Sequence, residues 1–550
     1  MSSLKIRVHL PGEHKSKIEG LMTAAPACAK TFTLLLCLLV LSAATASAQG
    51  YADLHEFTGN GCCPQHPAIL AQGRDGNVYG ITPTGGTNSK GVIFKISPAG
   101  GYTVLYNFDV THGSTPIGGL TLGNDGNLWG TTSAGGANGY GNIFKITPAG
   151  TLTVLYDFTG VADGGYPVST LTVGRDGNYY GTSYPGVAYK LSPAGVFTVI
   201  NKIPTTTFGP LLQASNGSFY GVTEFGGTFS AGTIYKITGT TVTTLYSFDG
   251  PHGSYPIGGL VEGSDRNLYG TTTAGGTTNA GVIYKITPAG ALSVVVNFDG
   301  VHTLDGYQAF AGMIAGSDGN LYGATIWGGQ YGYGVIFELS TGGGYTVLYN
   351  FDAPHGDGAY PTPMQHTDGK IFGMTERGGT PGKGGIYSYD AGITPFIKPL
   401  TNGGVVGQTV GILGTGFGTA SGVTFNGTPA SFHVISNTYM TATVPSGESG
   451  FISVTTSSGT LISNRVFYVT PKVLSIAPTS GPVGTSVVIT GAGLIQASNI
   501  TVGGVRVTTY TVNSDSQLTA KVPTGAKTGK IVVTTPGGQA ASSTVFTVTP

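Results

Sequence analysis

The chain has 550 residues, more than one hydrophobic core can organise, so several domains are expected. Only 9 % of the residues are charged, 94 are glycines and 40 % are hydrophobic, which excludes a disordered chain, and glycine lacks the three-residue period of a collagen. The first 48 residues contain five Lys/Arg and two Asp/Glu, so the remainder has 20 basic and 23 acidic side chains, a net charge of −3. With no basic patch, nucleic acid is excluded as a partner.

The N-terminus has the pattern of an export signal. Five basic residues precede or border an apolar run at 31–44, and Ala-Ser-Ala at 46–48 is a small-residue cleavage site. We therefore predict a signal peptide at 1–48 and an extracellular or cell-surface protein, with the periplasm as an alternative compartment. The other interpretation is an uncleaved membrane anchor, but this run is too short to span a bilayer comfortably. No second apolar segment follows, so no membrane span is expected after cleavage.

Two adjacent cysteines, Cys62 and Cys63, would remain in the exported chain. In an oxidising compartment they could form a vicinal disulfide within one loop or pair between chains. No further ligands complete a metal-binding pattern around them, so no metal is predicted.

One hairpin motif recurs seven times with a period of about 50 residues. Asp-Gly or Asn-Gly favours a tight turn between antiparallel strands, and an aromatic residue before the final glycine alternates with apolar neighbours as in a packed strand. The copies, such as DGNLYG, occupy 75–80, 125–130, 176–181, 216–221, 265–270, 318–323 and 368–373.

Each hairpin lies in a unit of four short strands, which predicts an all-β, seven-bladed β-propeller over 49–392. The alternative, a linear β-solenoid, usually has shorter repeats. The segment 51–57 matches the outer strand seen at 104–108, whereas the seventh unit has no recognisable fourth strand. We therefore expect the N-terminal strand to complete the last blade and remove a bare edge.

The linked motifs DGNLYGTT, a Gly-Gly loop, I-F-K-I-TPAG and VLYNFDG resemble the tandem repeats called GloVer (Gloeobacter–Verrucomicrobium) repeats. The resemblance covers 51–392. It implies a propeller in an exported bacterial protein and implies no particular activity.

Two further units of about 80 residues follow, at 393–470 and 471–550. Short alternating strands punctuated by Gly and Pro predict immunoglobulin-like β-sandwiches. The sequence IAPTSGPVG at 476–484 resembles the IPT/TIG family, and the first unit departs from that pattern at its opening. LGTGFG at 413–418 has no helix after it and is interpreted as a turn rather than a dinucleotide loop, so no cofactor is predicted.

No catalytic residue is predicted, because the common zinc-protease and serine-hydrolase motifs are absent. Asp and His recur after the outer strands, on connections that should share one face with the glycine-rich loops. Such a ring could bind a metal or perform acid–base chemistry, but its repetition favours local hydrogen bonds that close each loop. The pairs are Asp109 with His112, Asp249 with His252, Asp299 with His302, and Asp352 with His355.

Aromatic residues in the glycine-rich loops are less regular and are the predicted ligand-binding residues. Their flat faces suit stacking on sugars or contact with a protein, and the alternative is packing between neighbouring loops. They are Trp327, Tyr331, Tyr333, Phe225, Phe229 and Tyr140.

These features favour a non-catalytic secreted or surface binding protein, with carbohydrate as the first candidate ligand and a surface protein as the second. The alternative is a polysaccharide or lactone lyase or hydrolase with its site in the propeller mouth, an analogy from fold alone. The sequence does not indicate an oligomeric state.

Overall fold

A computed structural model describes residues 50–58, 69–160, 162–203, 205, 208–300, 304–380 and 382–550. The predicted signal peptide at 1–48, together with Cys62, Cys63 and His302, therefore lies outside the described residues. Within the described part there are 47 strands and two short 3-10 helices, Val110–His112 and Phe417–Thr419.

The first 28 strands form seven sheets of four strands each. Their bounds are β1 Gly50–Glu56, β2 Ala71–Gln72, β3 Val78–Thr82, β4 Val92–Ile96, β5 Tyr102–Asn107, β6 Thr121–Leu122, β7 Leu128–Thr132, β8 Asn142–Ile146, β9 Leu152–Asp157, β10 Thr172–Val173, β11 Tyr179–Ser183, β12 Val187–Leu191, β13 Phe197–Lys202, β14 Leu212–Gln213, β15 Phe219–Thr223, β16 Thr233–Thr238, β17 Thr241–Ser247, β18 Val261–Glu262, β19 Leu268–Thr271, β20 Val282–Ile286, β21 Leu292–Asn297, β22 Ile314–Ala315, β23 Leu321–Ala324, β24 Val335–Leu339, β25 Tyr345–Asn350, β26 Met364–Gln365, β27 Ile371–Thr375 and β28 Gly385–Asp390.

These sheets are the blades of the predicted propeller. Blades 1 to 6 are β2–β5, β6–β9, β10–β13, β14–β17, β18–β21 and β22–β25, each in sequence order from an inner two-residue strand to an outer strand. Blade 7 has the order β26-β27-β28-β1, so the N-terminal strand closes the ring as expected. Tyr51 of β1 pairs with Tyr389 and its ring stacks on Tyr349 of blade 6, with centroids 4.2 Å apart.

The recurring Asp-Gly-Asn-x-Tyr-Gly motif is explained by its contacts. In blade 1, Asp75 accepts hydrogen bonds from the side chain of Asn77 and the hydroxyl of Tyr79, at 2.6 and 2.8 Å, so it satisfies the polar end of a buried ring. The final glycine pairs across the sheet with an aromatic residue of the third strand. A Cβ added to Gly130 would lie 2.7 Å from the Phe144 ring, so the position has no room for a side chain.

The remaining strands form two β-sandwiches, for which the sequence predicted immunoglobulin-like folds. Their bounds are β29 Lys398–Pro399, β30 Gly403–Val405, β31 Thr409–Leu413, β32 Gly422–Phe425, β33 Thr428–Ala430, β34 Phe432–Val434, β35 Tyr439–Thr443, β36 Ile452–Thr456, β37 Gly459–Ile462, β38 Tyr468–Thr470, β39 Lys472–Ala477, β40 Ser480–Gly481, β41 Ser486–Ala492, β42 Asn499–Val502, β43 Val505–Arg506, β44 Tyr510–Ser514, β45 Gln517–Lys521, β46 Gly529–Thr535 and β47 Gly538–Val548.

The two sandwiches repeat one topology. One sheet is β29-β31-β35-β34 in the first and β39-β41-β45-β44 in the second, and the other sheets correspond as β33-β32-β36-β37 and β43-β42-β46-β47. Each has its own buried core, around Phe467 in the first and Phe546 in the second.

The first sandwich is docked on the propeller face that carries the Asp-Gly turns, called here the turn face. The Arg74 guanidinium lies 4.4 Å from the centroid of the Tyr439 ring, and Thr438 donates a hydrogen bond of 2.8 Å to the Arg74 carbonyl. In blade 3, the Arg175 guanidinium lies 3.9 Å from the centroid of the Tyr468 ring. The opposite face of the propeller, formed by longer loops, is left uncovered by these contacts.

Candidate functional site

The opposite face, called here the loop face, is built from two kinds of loop. A connecting loop joins the outer strand of one blade to the inner strand of the next, and a glycine loop joins the second and third strands of a blade. Isolated β-bridges join the two loops within five blades, which places both on one face as predicted. The bridges are Ser114–Ala134, Gly165–Tyr184, Ser254–Ala274, Tyr307–Trp327 and Asp357–Arg377.

The same five connecting loops are also tied to the glycine loop of the preceding blade. At one recurring position the backbone has positive φ, and its N–H donates a hydrogen bond across the blade boundary. The donor and acceptor pairs are Thr115 to Lys90 (3.0 Å), Tyr166 to Tyr140 (2.7 Å), Tyr255 to Ala231 (2.8 Å), Gln308 to Ala280 (3.1 Å) and Gly358 to Tyr333 (3.3 Å). Every such loop is therefore fixed on two sides.

A polar residue at the end of the outer strand holds the glycine loop of its own blade. Asn107 accepts a hydrogen bond of 2.9 Å from the N–H of Thr87, and Asp157 accepts one of 3.0 Å from Ala137. Asn350 accepts an equivalent bond of 2.7 Å from Gln330. The sequence analysis missed these positioning residues, although the Asn or Asp before Phe in VLYNFD recurs and marks them.

The Asp–His pairs close their own loops. The backbone N–H of His112 donates to Asp109 at 2.7 Å, and its Nδ1 lies 2.9 Å from the same carboxylate oxygen. The same arrangement occurs at Asp249 with His252, where Nδ1 and the carboxylate are 2.7 Å apart, and at Asp352 with His355, where they are 2.8 Å apart. Asp299 is described, but its predicted partner His302 is not.

These contacts shift two ionisation equilibria. The backbone hydrogen bond from His112 holds the pKa of Asp109 below its usual value. The hydrogen bond to Asp352 raises the pKa of the His355 imidazole, with a further contribution from the negative charge of that carboxylate. Both effects arise within a loop, and the described pairs do not converge on one centre.

The six predicted aromatic residues divide into two groups. Phe225, Phe229 and Tyr331 are exposed, whereas the other three are half-buried. Trp327 is partly covered by the Arg377 guanidinium, which lies 5.1 Å from its ring centroid. The half-buried members are Trp327, Tyr333 and Tyr140.

Three exposed tyrosines that the sequence analysis did not single out join this set. Tyr166 lies between Tyr140 and Tyr184 in edge-to-face contacts, with centroids 5.5 and 6.2 Å apart. Tyr255 makes the same kind of contact with Phe225 at 5.6 Å. These three tyrosines share one feature in the sequence, because Tyr166, Tyr184 and Tyr255 each precede a proline.

The described residues contain no group of three or more His, Cys, Asp or Glu side chains that could hold a metal ion. Within the same residues, no helix is long and apolar enough to cross a membrane.

Comparison with protein families finds two matches. The Gloeobacter/Verrucomicrobia repeat matches residues 40–194 and 205–435, well over half of the chain, and the IPT/TIG domain matches residues 471–548. No curated protein matches the sequence.

Several solved structures match this chain at low similarity. Virginiamycin B lyase from Staphylococcus aureus has a TM-score of 0.44 and 16% identity, covering 62% of this chain and 98% of that one. A gluconolactonase from Xanthomonas campestris has a TM-score of 0.34 and 10% identity, covering 62% and 99%. A surface glycan-binding protein from Prevotella bryantii has a TM-score of 0.22 and 19% identity, covering 28% and 41%. Function has to be argued from the chain's own side chains, because likenesses this weak do not bear on it.

Proposed function

We propose that this chain, which belongs to the Gloeobacter/Verrucomicrobia repeat family, is a non-catalytic extracellular or cell-surface protein that binds carbohydrate through the loop face of its propeller. The sandwiches at 393–470 and 471–550 act in this proposal as a spacer on the opposite face.

The observation that carries the proposal is the distribution of exposed aromatic side chains. Among the described residues from 50 to 390, every aromatic side chain that is exposed lies on the loop face, with exposed fractions of 38–61%. Exposed apolar groups gathered on one surface are typical of binding sites, whereas scattered ones are not. The side chains are Tyr166, Tyr184, Phe225, Phe229, Tyr255 and Tyr331.

The set is asymmetric, although the scaffold has a sevenfold repeat. Its members come from the glycine loops of blades 3, 4 and 6 and from the connecting loops that precede blades 3 and 5, with two neighbouring groups around Tyr166 and Phe225. A single binding surface requires such asymmetry, because a purely structural contact would recur in every blade.

Two of these tyrosines are held in an unfavourable backbone conformation. Tyr166 has φ of 49° and Tyr255 has φ of 57°, a region that costs a non-glycine residue roughly 1–2 kcal/mol. Glycine occupies the equivalent position before blade 7, at Gly358, so the fold tolerates it there. Thr115 and Gln308 have the same positive φ at equivalent positions, so the conformation belongs to the scaffold, and what distinguishes Tyr166 and Tyr255 is the exposed ring.

Tyrosine and phenylalanine offer what a sugar-binding surface needs. Their flat apolar faces stack on the C–H faces of pyranose rings, and the tyrosine hydroxyls can bond to sugar hydroxyls. The connecting loops that carry Tyr166 and Tyr255 are fixed on both sides by backbone hydrogen bonds, so little conformational entropy is lost there on binding.

Affinity gel electrophoresis of the purified protein in gels containing xyloglucan, mixed-linkage β-glucan, mannan or pectin tests the proposal. At least one polysaccharide should retard the protein, and the retardation should be lost when Tyr166 and Tyr184, or Phe225 and Phe229, are changed to alanine. The matched control is Phe451→Ala, which removes an equally exposed ring (51%) from the first sandwich.

The result has three informative outcomes. Retardation lost in the loop-face variants but kept in Phe451→Ala supports the proposal. Retardation that none of these substitutions changes, or no retardation by any of the four polysaccharides, contradicts it and favours a protein partner. Release of reducing or unsaturated sugar ends from the same polysaccharides would instead support the enzymatic alternative.

A further inference from the structure

The axis of the propeller contains a solvent-accessible space next to the first sandwich. Two adjoining cavities of about 290 and 180 Å³ are lined by the inner-strand segments of the blades, and their floor is formed by the sandwich. Their walls combine apolar and polar groups, and Leu70, Leu212 and Leu260 line both. Two cationic side chains of the sandwich, Lys398 and Arg465, also line both cavities.

The charge in this space is unbalanced. No Asp or Glu lines either cavity, and neither Lys398 nor Arg465 forms an ion pair with a described residue. A third cation, Arg175, lines the larger cavity but already donates to the carbonyls of Ala214 and Ser215 at 3.0 and 3.1 Å.

The nearest carboxylate is engaged elsewhere. Glu262 lines a neighbouring groove and accepts hydrogen bonds from both the N–H and the hydroxyl of Ser215. Its negative charge raises the pKa of Arg465, but by less than desolvation lowers it. Lys398 has no comparable acidic neighbour. Burial and the positive charge of Arg465 lower the pKa of Lys398 to about 8.

The second sandwich shows that these cations are not needed by the sandwich fold. Ser463 donates to the carbonyl of Arg465 at 2.8 Å, and the equivalent Ser542 donates to the carbonyl of Thr544 at 2.6 Å. The same local structure therefore carries Arg in one copy and Thr in the other.

Lys398, like Arg465, is replaced by an uncharged residue at the equivalent position of the second sandwich. Lys398 pairs with Leu413, one residue before Gly414, and in the second sandwich Ser475 pairs with Thr490, one residue before Gly491. Both cations thus occur only in the copy that faces the propeller axis. Lys398 is half-buried and Arg465 is exposed to solvent within this space, so a dissolved anion can reach both cations.

We propose that this cavity is a binding site for a small oxyanion, a carboxylate, phosphate or sulfate group held by Lys398 and Arg465. Arg465 would offer a planar pair of donors and Lys398 a point charge. Asn464, which lines the smaller cavity, could donate a further hydrogen bond to the ligand. The volume suits an ion or a single acidic monosaccharide rather than a chain.

The structure also contains an approach to this site. A groove of about 510 Å³ between the turn face and the first sandwich is lined by Arg465 at one side and by the exposed Phe451 at another. Arg465 lines this groove and both cavities, so it lies where they meet. The site is therefore separate from the loop face and independent of the carbohydrate proposal.

Isothermal titration of the purified protein with sulfate, phosphate, acetate or glucuronate, at pH 7 and fixed ionic strength in chloride, tests this inference. We expect saturable binding of at least one of the four, and the comparison distinguishes an inorganic oxyanion from an organic acid. Lys398→Met and Arg465→Met should each weaken it by about tenfold, the value of one charge-assisted hydrogen bond.

The matched control is Lys472→Met with Arg506→Met, which removes one Lys and one Arg from exposed positions of the second sandwich. Unchanged affinity in the Lys398 and Arg465 variants, or no saturable binding of any of the four anions, overturns the inference. If the variants do not fold, anomalous diffraction from wild-type crystals soaked in selenate decides it. A selenium peak beside Lys398 and Arg465 supports the site, and peaks only elsewhere reject it.

Discussion

The third strand of each blade presents an aromatic ring to the glycine of the preceding hairpin, and in blade 5 this ring is Tyr284. It is fully buried, and its hydroxyl has no hydrogen-bond partner among the described residues. Burial therefore raises the pKa of Tyr284. Its sheet neighbour Tyr269 is equally buried, but its hydroxyl donates to Asp265 at 2.9 Å and to the carbonyl of Thr341 at 3.2 Å. The two residues allow one chemical change to be made in two environments.

Replacing each tyrosine by phenylalanine should change the free energy of unfolding in opposite directions. Tyr284→Phe removes a polar atom that is buried without a partner, a burial that costs about 1–3 kcal/mol, and leaves only the space of one oxygen. We expect a gain of about 0.5–1.5 kcal/mol. Tyr269→Phe removes a bond to a carboxylate, and Asp265 keeps its bonds from Asn267. We expect a loss of about 1–2 kcal/mol.

Three blades already contain the proposed replacement. Phe94, Phe144 and Phe337 occupy the position of Tyr284 in blades 1, 2 and 6, each opposite the corresponding glycine. The phenylalanine ring is therefore compatible with the site, and overpacking is not a concern.

Urea denaturation followed by tryptophan fluorescence measures the effect on the propeller alone, because Trp129 and Trp327 both lie in its blades and loops. With an unchanged m-value, the midpoint should rise for Tyr284→Phe and fall for Tyr269→Phe, a separation of about 1.5–3.5 kcal/mol. Destabilisation of the same size by both substitutions would refute the assignment of an unpaired hydroxyl to Tyr284.

Three further predictions concern other parts of the chain. Lys398 has a folded-state pKa of about 8, below its usual 10.5. The free energy of unfolding, measured by urea titration, should therefore rise by up to about 3 kcal/mol between pH 8 and 10.5. Lys398→Met should abolish this dependence of stability on pH, and Lys472→Met should keep it. His355 has a raised pKa, so its contribution to stability should be complete below pH ~6.5 and lost as the pH rises through its folded-state pKa. Asp352→Asn should lower the pKa of His355 in an NMR titration. An unchanged pKa in this variant would be inconsistent with the pairing. Tyr51→Ala should destabilise the propeller by roughly 3 kcal/mol in urea, because it removes a ring from the strand that closes blade 7; a loss below 1 kcal/mol would mean that closure depends little on this ring.

The fold was predictable because its information is local and repeated. The Asp75 turn, the ring of Tyr79 that bonds to it and the glycine at position 80 all lie within six residues. Seven copies of such a unit specify seven hairpins, and the spare strand at the N-terminus specifies how the ring closes. The IPT/TIG sequence pattern similarly marked the second sandwich before its strands were known.

The aromatic surface was only partly predictable, because it depends on contacts between blades. Trp327 was the most conspicuous residue in the sequence, yet Arg377 of the following blade covers part of it. Tyr166 is exposed because its backbone is held between the loops of two blades, at Tyr140 and Tyr184. A pattern within one repeat contains no information about its neighbour, so exposure could not be assigned from it.

Lys398 and Arg465 were harder to predict from the sequence than the aromatic residues. They are 67 positions apart in the sequence, and they approach the propeller axis only because the first sandwich docks on the turn face. Neither belongs to a known motif. Aligning the two sandwiches would nevertheless have found them, since Arg465 stands where the second copy has Thr544.

The docking of the first sandwich gives the two faces of the propeller different chemistry. On the turn face, Arg74 and Arg175 pack on rings of the sandwich, and the same docking places Lys398 in the wall of the axial cavity. On the loop face the aromatic rings remain exposed to solvent. An anion in the cavity would contact both the inner strands and the sandwich, so its binding should stabilise their docking through linkage. A glycan on the loop face would contact only the propeller. The two proposed ligands should therefore be distinguishable by which unfolding transition each one shifts.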